Sequence, residues 1–338
     1  AFPCNNPNGI RVSTSLGYLS ESRHRMNFTL RPNCTVTRLI MTKNKITAVE
    51  VESGGDFFQV EAETVILSAG SLANPKILMS SGIGPADDLA SCGIKPLLNL
   101  IGIGENLQDH PQNFVHAKVK NLESLDTTSP RLQVALRYSS QNSNLTDDMM
   151  MWMGSYAING DYRDILSSGT SDNKLQLEVT GVQITISLYL ATSRGSVTLN
   201  PINPNGKPVV NLNLLHTESD VCRMAEGVEI ASELIESSSL ENVVAERTSP
   251  PDGIFNDKPR FHKWLRSSTT TGNHLTSTCA MGSDSNKFAV VDETCRVFGL
   301  DNLYIGDASI MPETVRANTN VTTMMIGERL ADFLKNKN

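Results

Sequence analysis

This sequence has few aromatics, no closely paired cysteines, no excess of basic residues and no long apolar run. Each shortage closes a class of function. Phe, Trp and Tyr make up 5% of 338 residues, with two Trp, so a ring cage for a quaternary ammonium is poorly supplied. Six cysteines (Cys4, Cys34, Cys92, Cys222, Cys279, Cys295) never come as CxxC, which argues against a metal cluster. Their even count permits disulfides, but buried thiols suit such wide spacing better. Twenty-nine Lys and Arg against 36 Asp and Glu leave a net charge of −7, so nucleic acid is not an expected partner. No apolar run approaches ~18 residues, and no membrane span is expected. No basic leader opens the chain, and Ala1-Phe2-Pro3-Cys4 reads as an internal or processed end.

What is present suits a globular protein. Apolar residues at 39% and charged residues at 19% can bury a substantial core, usually as two domains. Sequons begin at Asn27, Asn33, Asn144 and Asn320. They matter only in a secreted chain, and localisation stays open.

Along the chain, Thr35–Ile40 and Ile46–Val51 alternate and are rich in β-branched residues. Gly54-Gly55 follows, as in a hairpin-like unit. Val65-Ile66-Leu67-Ser68-Ala69-Gly70 is instead a continuous apolar run that ends in small residues, the pattern of a buried parallel strand. A helix is expected next, with Pro75 in its first turn and Gly82 just past its end. Strand, small-residue turn and helix is where doubly wound folds approach a nucleotide. A purely structural turn has the same pattern, and on local grounds it outweighs the nucleotide reading. Residues 120–175 are dense in Ser, Asn, Asp and Thr and read as loop-rich, with an apolar patch at Met149–Met153. Val182, Ile184, Ile186, Leu188 and Leu190 share a face, and a turn at Ser193-Arg194-Gly195 leads to Ser196–Leu199, which reads as an antiparallel pair with one buried face. Helical periodicity marks residues 218–236 and 321–334.

Near the carboxyl end stand His274-Leu275-Thr276-Ser277-Thr278-Cys279-Ala280-Met281-Gly282, then Asp307-Ala308-Ser309, then Asn318-Thr319-Asn320. Earlier come Ile83-Gly84-Pro85 and Gly104-Glu105-Asn106-Leu107-Gln108-Asp109-His110-Pro111. Together these stretches resemble the glucose–methanol–choline (GMC) family of FAD-dependent oxidoreductases, in the subgroup that pairs histidine with asparagine. The likeness runs from Gly9 to Asp332, strong at 65–111 and 274–334 and faint at 113–190. Ser277 stands where the family has Gly, and Leu275 where it often has Pro.

The resemblance implies an α/β (α+β overall) fold: part of a doubly wound FAD-binding domain plus a substrate domain whose mainly antiparallel sheet is backed by helices. It implies FAD-binding segments at 1–112 and 266–338 around a substrate-binding domain at 113–265. It implies His274 and Asn318 as the catalytic pair, and FAD contacts at Val36, Ala69, Gly70, Asn106, Asp307, Ala308, Asn320 and Thr322. Asp109-His110 by itself reads as an acid–base pair or as a loop whose polar groups hold backbone; with the resemblance, His110 is expected to be structural or cofactor-near rather than catalytic. The bland reading of a lone histidine holds for His24, His116, His216 and His262.

Alcohol oxidation needs a base for the hydroxyl proton and an acceptor for the carbinol hydride. No side chain accepts a hydride, so a cofactor must. Histidine titrates near working pH and suits the base. A second polar group should hold the oxygen as it becomes alkoxide-like. His274 and Asn318 can take these roles if the strand at 303–306 brings them together. Positive dipole at the amino end of the last helix would favour an electron-rich ring edge.

The amino-terminal GxGxxG unit of the family is absent, so a missing amino-terminal segment or second chain is expected to complete the pyrophosphate site. Trp152, Tyr156 and Tyr162 are the aromatics of the variable region; choline is possible, and a primary, aryl or polyol alcohol fits as well. The alternatives are a flavin-containing hydroxynitrile lyase of the same fold and a non-catalytic fragment.

Overall fold

The structure, a computed structural model, describes residues 10–126, 131–141, 143–158 and 179–336. Cys4, Gly9 and Tyr162 lie outside these residues. The β-branched amino-terminal stretch forms β1 (Thr35–Thr42), β2 (Lys45–Ser53) and β3 (Asp56–Glu61), an antiparallel meander. Lys43 (φ 55°) and Gly54 and Gly55 (φ 63° and 93°) provide the left-handed residues that its tight turns need. The apolar run gives β4 (Val65–Leu67). Next come β5 (Ile83–Gly84) and β6 (Leu98–Asn99), then β7 (Pro111–Val119), β8 (Leu132–Tyr138), β9 (Met149–Ile158) and β10 (Val179–Leu188). The rest are β11 (Ser196–Thr198), β12 (Val209–Asn211), β13 (Val244–Ser249), β14 (Thr270–Thr271) and β15 (Leu303–Ile305).

β4 runs parallel to β15, with Val65, Ile66 and Leu67 opposite Leu303, Tyr304 and Ile305. The Asn302 amide fixes this register. It donates to the carbonyls of Ile46 (2.8 Å) and Glu63 (2.7 Å) and accepts from the Ile46 amide (2.9 Å). Residues 39–103 and 279–330 thereby share one apolar core that includes Leu39, Leu67, Leu78, Val290, Ile305 and Leu330. Among the described residues β4 pairs with β15 alone, and Ile66 in the middle of β4 is 47% exposed.

The helix after β4 spans Gly70–Ser80, so it starts earlier than expected and Pro75 falls inside it. Proline has no N–H for the Ser71 carbonyl. Thr278 answers that carbonyl instead, its hydroxyl donating at 2.7 Å. Gly82 (φ 78°) ends the helix as expected, and a Cβ there would lie 2.7 Å from the Lys95 carbonyl.

A second core lies between a six-stranded antiparallel sheet and two helices, Glu218–Ile235 and Lys258–Ser268. The sheet order is β13-β7-β10-β9-β8, with β14 also on β7. Two sequence expectations change here. Met149–Met153 belongs to β9, a strand next to β10 rather than a patch in loops. β10 is buried on both faces from Gly181 to Leu188, flanked by β7 and β9, while Ser196–Thr198 pairs with β12 instead. The apolar face of β10 packs on the Glu218–Ile235 helix, and Gln183, Thr185 and Ser187 between those positions are buried as well.

The Glu218–Ile235 helix is capped by Thr217, whose side chain accepts from the Asp220 amide. It buries Val221, Met224, Val228 and Ala231 against the sheet, and Gly227 lets it come close: a Cβ there would stand 2.6 Å from Ile186. In its second turn the buried Arg223 guanidinium donates to Asp148 (2.9 Å), Asp220 (2.5 Å) and the Leu190 carbonyl (2.9 Å). Asp220 also receives the amides of Thr192 and Ser193. This cluster pins the chain just beyond β10, where Tyr189 sits. Replacing Arg223 with Ala leaves two buried carboxylates unpaired and is expected to lower stability by about 3–5 kcal/mol, the range for half a buried ion pair. Denaturant unfolding measures it, and a loss below about 1 kcal/mol would contradict the role given to the cluster.

Candidate active site

Two loops distant in sequence build the centre of the site. The backbones of Gln108 and Thr276 exchange hydrogen bonds (3.2 and 3.0 Å), and the Gly104 amide donates to Thr278 (2.8 Å). One buried carboxylate then joins the two histidine-bearing segments. Asp109 Oδ1 accepts the amides of His110 (2.8 Å) and His274 (2.9 Å), and its Oδ2 accepts the Thr271 hydroxyl. Burial pushes this carboxyl above its ordinary range, and those donors pull it back down.

The side chains that meet there are His110, His274, Asn318 and Tyr189. The Nδ1 atoms of the two histidines are 2.9 Å apart. His110 Nε2 lies 3.0 Å from the Val315 carbonyl oxygen, and His274 Nε2 lies 3.1 Å from Asn318 Nδ2. The Tyr189 hydroxyl lies 3.5 Å from Asn318 Oδ1, and its ring meets His110 edge-on at 4.2 Å between centroids. His110 is fully buried, His274 half-buried, and Asn318 exposed on the open side.

Electrostatics keep the histidines neutral. Burial, and secondly His274, push His110 down to about 3. Burial lowers His274. Burial raises the Tyr189 phenol, opposed by the Arg137 guanidinium, so the hydroxyl keeps its hydrogen.

A second cluster forms where the carboxyl ends of β4 and β15 meet. Asp307 Oδ2 accepts the Gly70 amide (2.7 Å) and the Asn74 amide group (2.8 Å), while Oδ1 accepts the Ser309 amide (2.9 Å) and hydroxyl (2.7 Å). Asn74 Oδ1 takes the Ala69 amide at 2.9 Å. Ala69, Gly70, Asp307 and Ala308 are thus one local unit. Asn106 (φ 60°), in the 104–111 loop, donates to the Pro312 carbonyl at 3.2 Å, where Gln108 also reaches. Val36, at the start of β1, and Asn320 and Thr322, on the last helix, are not part of this hydrogen-bonded set.

The helix Asn320–Lys335 starts two residues after Asn318, and its N-cap, Thr319, makes no side-chain cap. Its first-turn donors are therefore left for another acceptor beside the site.

The motif reading brought His274 and Asn318 together. Of the two readings of Asp109-His110, the loop whose polar groups hold backbone is the one seen for Asp109; Tyr189 was passed over. Asp109 and His110 were visible as a pair in the 104–111 stretch, but their reach to residue 274 depends on the tertiary pairing of the loops. Tyr189 carried no signal beyond ending an apolar strand.

The described cysteines are free thiols, with Cys279 and Cys295 buried; burial raises both, Cys295 to about 11. Glu218, Cys222 and His262 gather away from the site, their candidate ligand atoms within 4.8 Å of one another. Glu218 there already pairs with His262 and Arg266, each at 2.9 Å. Among the described residues no helix is long and apolar enough to cross a membrane.

Comparison with known proteins agrees with this architecture. The chain is 31% identical over 340 residues to an oxygen-dependent choline dehydrogenase of Photobacterium profundum, covering 96% of this chain and 59% of that protein. An oxygen-dependent choline dehydrogenase of Escherichia coli is 29% identical over 348 residues, covering 98% and 62%. The crystal structure of pyridoxine 4-oxidase from Mesorbium loti superposes with a TM-score of 0.80 at 25% identity, covering 96% of this chain and 62% of that one. The chain thus spans about three fifths of the length of these relatives. Two family models, each described as GMC oxidoreductase, match residues 2–112 and 191–327. With more than half of its residues inside those matches, this chain belongs to the GMC oxidoreductase family.

Proposed function

We propose that the chain takes part in FAD-dependent oxidation of an alcohol to an aldehyde or ketone. The observation that carries this reading is the pair His274 Nε2 and Asn318 Nδ2, 3.1 Å apart on the open side of a buried network. A hydroxyl placed against both meets a proton acceptor and an amide donor at once. His274 takes the hydroxyl proton as general base. Asn318 holds the oxygen as its negative charge grows, because an amide N–H is a donor that stays neutral.

The residues fit a flavin. The turn at Ala69-Gly70 is small, with Gly70 at φ 83° and open space where a Cβ would project. The last helix offers uncapped first-turn donors next to Asn318, which suits an electron-rich ring edge. Ala69, Gly70, Asn106, Asp307, Ala308, Asn320 and Thr322 would hold FAD, with Val36 at the adenine. When bound, FAD supplies the hydride acceptor that no side chain can. The reading also includes an amino-terminal segment or second chain to grip the pyrophosphate. That β4 pairs with β15 alone among the described residues supports that, since parallel strands pack with neighbours on both sides.

The substrate is read as a neutral primary, aryl or polyol alcohol. Tyr156, one of the aromatics considered for a cation cage, already carries the Arg131 guanidinium 5.9 Å over its ring.

Replacing His274 with Ala should leave flavin bound and slow anaerobic flavin reduction ~10²-fold or more, the range for a lost general base. Stopped-flow reduction within a few-fold of wild type would remove His274 from the role. In wild type the reduction rate should fall as pH drops through a single ionisation below 6.5, because burial lowers His274 and only its neutral form accepts a proton. A limb that rises toward acid would contradict the sign. Asn318→Ala should be slower than wild type yet keep that ionisation. If instead the ionisation vanishes in Asn318→Ala and persists in His274→Ala, the two roles are exchanged.

A further inference from the structure

The base proposed above works only if its lone pair faces the substrate. A neutral imidazole has one protonated nitrogen and one bare one, and either tautomer is open to a free histidine. The surroundings of His274 decide between them.

The argument starts from a group that cannot donate. The Val315 carbonyl oxygen can only accept, and it lies 3.0 Å from His110 Nε2. His110 therefore carries its hydrogen on Nε2 and presents a bare Nδ1. That bare Nδ1 is 2.9 Å from Nδ1 of His274. Two lone pairs at this distance repel, so His274 must carry its hydrogen on Nδ1, which leaves its Nε2 bare. The placement of Asn318 agrees with this: its Nδ2 faces His274 Nε2 at 3.1 Å, where an N–H meets the bare nitrogen. The Tyr189 hydroxyl, 3.5 Å from Asn318 Oδ1, is compatible with that placement.

We propose that His110 is a positioning residue that holds His274 in the Nδ1–H tautomer, leaving Nε2 as the proton acceptor at the substrate oxygen. The proposal rests on the reading of His274 as base. It adds that the base is aimed by a second histidine that never touches the substrate. His110 can do this because it is fully buried, packed edge-on by Tyr189, and fixed through its own amide by Asp109. When His274 takes the substrate proton on Nε2 it becomes an imidazolium, and its Nδ1–H still points at the bare Nδ1 of His110. The cation keeps a hydrogen-bond partner, and no further proton moves.

The test needs a readout that does not depend on turnover. Nitrogen-15 histidine labelling of the flavin-loaded protein, with long-range nitrogen–proton correlations assigned by loss in His274→Gln, reads each tautomer directly. Nδ1–H on His274 with Nε2–H on His110 is the expected result. Nε2–H on His274 would overturn the proposal, whatever the activity.

Two variants add a functional check. Asn at position 110 can place an amide oxygen where Nδ1 stood, whereas Gln reaches toward Val315 and leaves that position without an acceptor. His110→Asn should keep flavin reduction within about tenfold of wild type, with the ionisation of His274 in place. His110→Gln should fall well below it with that ionisation displaced. Equal behaviour of the two, with both binding flavin, would overturn the proposal. If His274→Ala itself leaves reduction unchanged, the base assignment fails while the tautomer measurement still stands on its own.

Discussion

The site depends on one carboxylate oxygen. Asp109 Oδ1 accepts the backbone amides of both His110 and His274, residues 164 positions apart. A single acceptor shared by two chain segments fixes their separation to within the tolerance of two hydrogen bonds, and so fixes where the two imidazoles meet. The carboxyl sits in a buried place that raises its proton affinity, and it is kept useful by the amide and hydroxyl donors around it. Without those donors a buried carboxylate would be expensive; with them it is a rigid staple. Water at this position would satisfy the amides but would not set a distance.

That staple works because the two cores are joined at the same seam. The strand pair β4–β15 and the Asp307 cluster belong to the first core. β7, which starts at Pro111 directly after His110, belongs to the second. The loop 104–111 therefore leaves one core and enters the other at the histidine. The His274 segment does the reverse: it follows β14, which pairs with β7, and leads to Cys279 in the first core. Asn318 comes from the far side, off β15 and into the last helix. The proposed base His274, its proposed positioning partner His110 and the Asn318 amide thus arrive from three directions at a boundary where rigid elements end. Side chains placed on such a frame need little rearrangement to meet a substrate, which is what proton transfer at hydrogen-bond distance requires.

How much of this was legible follows from what each signal physically reports. Local backbone preferences were readable. The hairpin at 35–51, the strand at 65–67 and the helices at 218–235 and 320–335 are set by alternation, β-branching and helical periodicity, which act within a few residues. Three readings failed where tertiary context overrode them, one of them Met149–Met153, a strand beside β10 rather than a patch in loops. Pro75 sits inside its helix because Thr278, two hundred residues away, answers the carbonyl that proline leaves open. β10 looked half-buried because alternation cannot distinguish one covered face from two when small polar residues fill the second. Ser187 and Thr185 are as enclosed as Ile184 and Ile186.

The site shows the same division at finer scale. His274 and Asn318 could be named because motif resemblance fixes identity position by position. The hydrogen-bond chain that directs them could not, since it is written in distances: Val315 contributes a backbone carbonyl, and any residue has one. Tyr189 acts through a hydroxyl at the end of an apolar strand, where its ring alone would explain its presence. A chain of alternating donors and acceptors propagates its polarity from its fixed end, here a carbonyl that can only accept. In the proposed arrangement the tautomer of His274 is therefore set by groups whose identity in sequence says little and whose position in space says more.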